Sequence, residues 1–179
     1  NAVSMTYTLE QGYGSKITVP GAGFLLNNEM GDFNAAPGMT TETGLIGTGP
    51  NLAEPGKRML SSMAPAIVAR DGRLVMTTGS PGGRTIINTV LQIYLNVTVW
   101  GMDIQQAIDA PRVHHQWLPD RIDHEPFAIS AETQAALEEM GYELDERRSI
   151  GMAAGITRTP EGFLAGYADR RGAGTARGY

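Results

Sequence analysis

Two short runs carry the residue types that acyl chemistry needs. Leu60-Ser61-Ser62-Met63-Ala64-Pro65 offers two adjacent hydroxyls. Gly79-Ser80-Pro81-Gly82-Gly83 offers main-chain N–H groups with little side-chain cover, just ahead of an apolar stretch that reads as a helix. A glycine turn between strand and helix is a natural anion site. The first N–H groups of a helix have no intrahelical acceptor, and the helix dipole adds partial positive charge. Acyl transfer needs two donors aimed at a tetrahedral oxyanion, and consecutive glycines let a substrate carbonyl approach closely. The same run also makes a tight strand-to-helix turn with no ligand. No Gly-Lys-Ser/Thr follows, so it is not a lysine-containing phosphate loop. The serine pair can hold a carboxylate, or serve as an ordinary turn or cap. Neither run supplies a nucleophile.

Glu29 and Asp32 sit three apart in Asn27-Asn28-Glu29-Met30-Gly31-Asp32-Phe33, a polar segment flanked by apolar residues. Paired carboxylates there suit a substrate ammonium or a general acid–base pair, and equally a solvated acidic turn. His114-His115-Gln116-Trp117 invites a metal reading, but adjacent residues on a strand point to opposite faces. His124 has no supporting ligand spacing, and no metal site is expected. The glycosylation sequon Asn96-Val97-Thr98 falls inside a buried-type helix and is discounted.

Composition bounds the function. The 179 residues, 41% hydrophobic, fit one domain spanning 1–179 with a real core. The net charge is −5, and the arginines cluster only as the pairs Arg147-Arg148 and Arg170-Arg171, which argues against nucleic acid. The absence of cysteine excludes disulfides and thiol chemistry and leaves the compartment open. No apolar run is long enough to span a membrane.

The elements that position these runs follow from periodicity. Val3 to Leu9 alternates as a half-buried strand, and a chain opening inside such a segment reads as a fragment or a processed product. Ile17 to Val19 makes a short second strand. Asn34 to Arg58, rich in Gly, Pro, Thr and Asn, reads as a long surface loop. Ala66 to Arg70 and Leu74 to Thr78 form a hairpin about Asp71-Gly72. A largely buried helix runs from about Arg84 to Val99, with Ile86, Ile87, Val90, Leu91, Tyr94 and Leu95 as its apolar face. Asp103 caps a helix over Ile104 to Asp109. Ser130 caps another, with Leu137 and Met140 inward and Gly141 at its end. Strands near Met152 to Thr157 and Phe163 to Ala168 close the chain about Pro160-Glu161-Gly162. The order of strands, helices, then strands favours an α+β domain.

Taken in order, Asn1 to Thr8, Pro20 to Phe33, Lys57 to Pro65, Gly79 to Gly83 and Ala110-Pro111-Arg112 resemble the small subunit of gamma-glutamyltranspeptidases across essentially the whole chain. Asn27-Asn28-Glu29-Met30, Leu60-Ser61-Ser62-Met63 and Ser80-Pro81-Gly82-Gly83 are specific as a set. The resemblance implies the small-subunit part of a four-layer αββα N-terminal-nucleophile hydrolase sandwich. It implies self-cleavage of a precursor, a large subunit as partner, and a new N-terminal Thr whose hydroxyl attacks a gamma-glutamyl amide while its own amine acts as base. The acyl group then passes to water or to an amino-acid or peptide acceptor, with no cofactor. Glutathione and related compounds are the implied substrates.

By motif position, Gly82 and Gly83 would supply the oxyanion donors. Ser61 and Ser62 would hold the alpha-carboxylate, and Glu29 and Asp32 the alpha-ammonium. Thr8 would hydrogen-bond to the nucleophile. Glu10, where many members carry Asn, is a weaker substrate contact. The nucleophile is expected just upstream of Asn1, so the chain by itself is expected to be inert. Without the large subunit it is also expected to expose apolar surface. Family habit points to a periplasmic or extracellular setting. The alternatives are a related acylase acting on poly-gamma-glutamate or a cephalosporin side chain, and a non-catalytic gamma-glutamyl-binding relative.

Overall fold

The computed structural model describes residues 1–34 and 36–178, so residue 35 of the expected 34–58 loop lies outside the described residues. The chain divides into two compact units. One comprises Asn1–Thr6, Ser62–Gln116 and the chain from Asp120 onward; the other comprises Tyr7–Ser61 and Trp117–Pro119.

In the first unit, strand β1 (Ala66–Arg70) turns into β2 (Arg73–Gly79). Asp71 and Gly72 have φ of 51° and 73°, both positive as the tightest hairpin turn requires. Strands β6 (Ala154–Arg158) and β7 (Leu164–Ala168) complete an antiparallel sheet of order β1-β2-β6-β7. Helices α1 (Ile86–Thr98) and α2 (Ile104–Asp109) pack on it. Met76, Ile93, Ile104, Ala107, Ile108 and Ala153 form the buried core. Fully burying one such isoleucine contributes about 1.5–3 kcal/mol. A reciprocal capping box starts α2: Asp103 accepts from the Gln106 N–H, and Gln106 accepts from the Asp103 N–H.

Helix α1 departs from the expectation of near-complete burial. It buries Ile86, Thr89, Val90 and Ile93, whereas Ile87, Leu91 and Tyr94 are 55%, 50% and 38% exposed. One sheet covers one side of a helix, so a helix apolar nearly all round keeps its far stripe in solvent within this chain.

The opening segment is also corrected. Among the described residues it pairs in no sheet, and its alternation is inverted. Ser4 and Thr6 are the half-covered residues, and Ser4 Oγ donates to the Thr78 carbonyl at 3.0 Å. Val3 and Met5 point outward, about four-fifths exposed.

A second, three-stranded sheet of β3 (Val113–His114), β4 (Ile122–His124) and β5 (Leu144–Glu146) escaped the sequence reading. Strands of two or three residues are too short to display an alternation. Helix α3 (Ala131–Glu139) is capped by Ser130, which accepts from the Thr133 N–H. It ends in a Schellman motif: Gly141 (φ 93°) donates to Glu138 and Tyr142 to Leu137. Leu137 is half-buried, but Met140 at the C-cap is exposed, contrary to expectation, because it lies past the last helical turn.

The second unit is largely irregular. Its chain folds back through isolated bridges between Thr18 and Leu25 and between Asn34 and Leu52, and short 3-10 turns occupy Glu29–Asp32 and Gly49–Asn51. Among the described residues no helix is long and apolar enough to cross a membrane.

Candidate active site

The glycine turn joins β2 to α1 through a 3-10 turn, Gly83–Thr85. Gly82 has φ 143° and Gly83 φ 57°, conformations that side chains disfavour. A Cβ on Gly82 would lie 2.5 Å from Thr85 Oγ1 and 3.4 Å from Gly151 Cα, whereas one on Gly83 would meet nothing within 4 Å. Among the described residues no acceptor takes the N–H of Gly82 or Gly83. Two main-chain donors thus stand unused at the positive end of α1, the arrangement an oxyanion requires.

Within the other unit, three carboxylates share one turn. The Glu29 N–H donates to Asn27 Oδ1 at 3.0 Å, and the Asn28 N–H donates to the Leu9 carbonyl at 3.2 Å. The Gln11 N–H donates to Asn28 Oδ1. These bonds bring the Thr8–Gln11 stretch against Glu29–Asp32. Glu10 sits at φ 70°, with its N–H donating to Thr8 Oγ1 at 2.8 Å. Its carboxylate lies over Gly31, where any side chain would collide with it. Burial, then the charge of Asp32 and that of Glu10, push the Glu29 carboxyl above its ordinary range, while the Thr8 hydroxyl pulls the other way. Glu29 Oε1 is buried without a hydrogen-bond partner among the described residues. No Lys or Arg among them pairs with any of the three carboxylates. Negative charge gathered in this way can attract a cation.

The serines follow directly from this turn along the chain. Asn51 Nδ2 donates to the Asp32 carbonyl at 2.7 Å, and Asn51 Oδ1 accepts from the Leu60 N–H at 3.0 Å. Asn51 therefore fixes the residue preceding Ser61 relative to Asp32. Ser61 is exposed and ends the long stretch of its unit; Ser62, half-buried, begins the next stretch of the other. Sequence reasoning missed Asn51, since a lone Asn in a Gly- and Pro-rich loop carries no signal beyond turn propensity.

It also missed a buried ion network, whose carboxylates accept from the N–H groups of Ile150 and Ala153. Arg112 and Asp169, each 1% exposed, pair at 2.8 Å, and Arg171 bridges Asp169 and Glu125 at 3.1 and 2.6 Å. The two guanidiniums also donate to the carbonyls of Ile108, Ala110 and Ile150. Two cations and two anions pair there, with Arg112 Nε buried and without a hydrogen-bond partner among the described residues, and the network reads as scaffold rather than site.

The adjacent histidines differ in burial, His114 lying in β3 and His115 just past its end. His114 is buried beside Asn88 and Gln116, and His115 is exposed beside Asp120. Among the described residues no group of three or more His, Cys, Asp or Glu side chains is arranged to hold a metal ion. The sequon residue Asn96 lies in α1 and donates to the Ala107 carbonyl.

The gamma-glutamyltranspeptidase family model matches residues 1–179. The glutathione hydrolase proenzyme of Escherichia coli K12 is 44% identical over 171 residues, which are 96% of this chain. The chain spans 29% of that relative's length. The gamma-glutamyltranspeptidase of Pseudomonas nitroreducens, solved with L-DON, superposes with TM-score 0.89 at 41% identity, covering 100% of this chain and 94% of that one. The Helicobacter pylori gamma-glutamyltranspeptidase T380A mutant gives TM-score 0.88 at 43% identity, covering 96% and 94%. The chain belongs to the gamma-glutamyltranspeptidase family, and its fold is the small-subunit share of the N-terminal-nucleophile hydrolase sandwich.

Proposed function

We propose that the protein containing this chain cleaves gamma-glutamyl amides such as glutathione, working with a large subunit from the same precursor. The observation that carries the reading is the three-carboxylate turn around the unpartnered Glu29 Oε1, a receptor for the alpha-ammonium of a glutamyl group. Identity to glutathione hydrolase proenzymes supports it.

In this reading a Thr N-terminal to Asn1 attacks the gamma-carbonyl, and its hydroxyl proton passes to its own amine. The negative charge that develops on the carbonyl oxygen is stabilised by the N–H groups of Gly82 and Gly83. The tetrahedral intermediate collapses, the amine leaves with that proton, and a gamma-glutamyl ester remains. Water or an acceptor amine then attacks the ester and restores the Thr. Thr8 steadies the nucleophile. Glu29 and Asp32, with Glu10 at the margin, hold the ammonium, and Ser61 and Ser62 hold the alpha-carboxylate.

Turnover of a gamma-glutamyl anilide by the full-length, processed enzyme is compared with that of its N-acetyl derivative. Acetylation removes the ammonium and is expected to abolish most of kcat/KM. Equal use of both would overturn the ammonium assignment and favour an acylase for a different side chain.

A further inference from the structure

Each N–H of the glycine turn is held from the far end of its own peptide. A peptide is planar and trans, so its C=O and N–H point in opposite directions and fixing one fixes the other. The Gly82 N–H shares a peptide with the Pro81 carbonyl, to which Ser80 Oγ donates at 2.7 Å. The Gly83 N–H shares a peptide with the Gly82 carbonyl. That carbonyl accepts from Thr85 Oγ1 at 2.9 Å and from the Thr85 N–H at 3.2 Å. The two donors are thus set by two hydroxyls, one on each side of the turn.

Ser80 is itself braced. It is 3% exposed, and its Oγ accepts from the Met152 N–H at 3.0 Å. The chain reaches that position through Gly151 at φ 68°, where a Cβ would lie 2.8 Å from Ser80 Oγ and 2.9 Å from Thr89 Oγ1. The loop before β6 therefore needs a glycine to approach closely enough to hold the serine. Thr85 occupies a different environment, half-exposed at the start of α1.

We propose that Ser80 and Thr85 are positioning residues that pre-orient the two oxyanion donors. The proposal rests on reading Gly82 and Gly83 as those donors. Its physical basis is the freedom of glycine: an unsupported Gly-Gly turn samples many peptide orientations, and an oxyanion site is effective only when its donors need no reorganisation during reaction. A Thr bonding back to the carbonyl three residues earlier is also a common local helix contact. A purely local contact would affect stability and leave the chemical step alone, and the experiment separates the two.

The full-length, processed enzyme is measured as wild type, Thr85→Val, Thr85→Ser and Ser80→Ala. The substrates are a gamma-glutamyl anilide and its thioamide, in which sulfur replaces the scissile carbonyl oxygen. Sulfur is larger and a weaker acceptor, so donors pre-set for oxygen favour the amide. Thr85→Val is expected to lower kcat on the amide about 10-fold, less than loss of a whole oxyanion donor. KM should stay within about twofold, because ground-state binding is untouched. The amide-over-thioamide ratio should shrink, and Thr85→Ser should restore both. Acylation and deacylation both pass through an oxyanion, so kcat responds whichever is slow. Wild-type kcat and ratio in Thr85→Val would overturn the positioning role while leaving the glycine reading intact. A wild type indifferent to sulfur would overturn the glycine reading itself. Ser80→Ala is expected to act in the same direction; should its buried site prevent folding, Thr85→Val decides alone.

Discussion

Asn51 holds Asp32 by its main chain: the side-chain amide donates to the Asp32 carbonyl at 2.7 Å, and the same side chain accepts from the Leu60 N–H at 3.0 Å. One side chain thereby couples the carboxylate turn to the residue before Ser61. Asn51→Ala removes both bonds and a longer one of 3.3 Å from the same amide to Asn34 Oδ1. It is expected to cost about 1–2 kcal/mol of stability at roughly 1 kcal/mol per hydrogen bond. In kinetics on a gamma-glutamyl anilide it should raise KM severalfold with a smaller change in kcat. A fall in kcat alone would show that Asn51 serves the chemical step instead.

Glu29 carries a pH signature. Burial first, then Asp32 and Glu10, raise its pKa above the ordinary carboxylate value. The folded state therefore holds this proton more tightly than the unfolded chain does. Its contribution to stability is present at acid pH and is lost as pH rises through the raised pKa. Glu29→Gln should consequently stabilise the ligand-free protein at neutral pH while weakening substrate. In the wild type, KM should climb as pH falls through the raised value, because a protonated Glu29 no longer attracts an ammonium. Glu29→Gln should move that acid limb to lower pH, and an unmoved limb would assign it elsewhere. Asp32→Asn, losing a charged hydrogen-bond acceptor, should cost about 1–3 kcal/mol in kcat/KM.

Much of this arrangement was legible in the residues themselves. The hairpin at Asp71-Gly72, the capping box begun by Asp103 and the C-terminal Gly141 follow from local chemistry, and local rules suffice for them. Helix α1 was legible as a helix but not in its burial, because Ile87 and Leu91 have the same apolarity as Ile86 and Ile93; which side is covered depends on a sheet the helix's own sequence does not encode. The inverted opening strand failed for the same reason: the apolar alternation of Val3 and Met5 marks a face without saying what it meets. The carboxylates, serines and glycines were recognisable as chemistry-bearing types. Their supports were not, since Asn51, Thr85 and Gly151 act through hydrogen bonds or steric room that appear only when the chain is folded.

The serines and glycines make separable demands. Replacing Ser61 and Ser62 together with Ala should mainly raise KM for gamma-glutamyl substrates. Gly82→Val should mainly lower kcat, because its Cβ would displace the Thr85 hydroxyl and the φ of 143° disfavours a side chain. A Ser61→Ala, Ser62→Ala enzyme with wild-type kinetics would make the carboxylate assignment wrong.

The outward stripe of Ile87, Leu91 and Tyr94, with Val3 and Met5, bears on how the chain behaves alone. Expressed without a large subunit, it should sediment as aggregates. Ile87→Glu with Leu91→Lys should shift it toward a soluble species. A monodisperse, cooperatively melting wild-type monomer would contradict this.

The buried quartet sets the acid limit of the scaffold. Burial by itself would raise the Asp169 pKa, but the N–H groups of Arg171 and Ala153 and the Arg112 guanidinium outweigh it and hold the carboxyl below its usual range. A depressed carboxylate stabilises the fold fully above its unfolded value, about 3.9, and that contribution fades as pH falls through the lowered native value. Asp169→Asn leaves the Arg112 charge buried at 1% exposure without its partner. It should destabilise by about 3–5 kcal/mol at neutral pH, the usual cost of breaking a buried pair from one side. Urea unfolding of the full-length protein at pH 7 and pH 3 tests this directly. The gap between wild type and variant should be largest at pH 7 and smaller at pH 3, because below its usual carboxyl range the unfolded chain takes up a proton that the wild-type fold still resists. A gap of equal size at both pH values would mean that Asp169 stabilises through shape and neutral hydrogen bonds rather than through its charge.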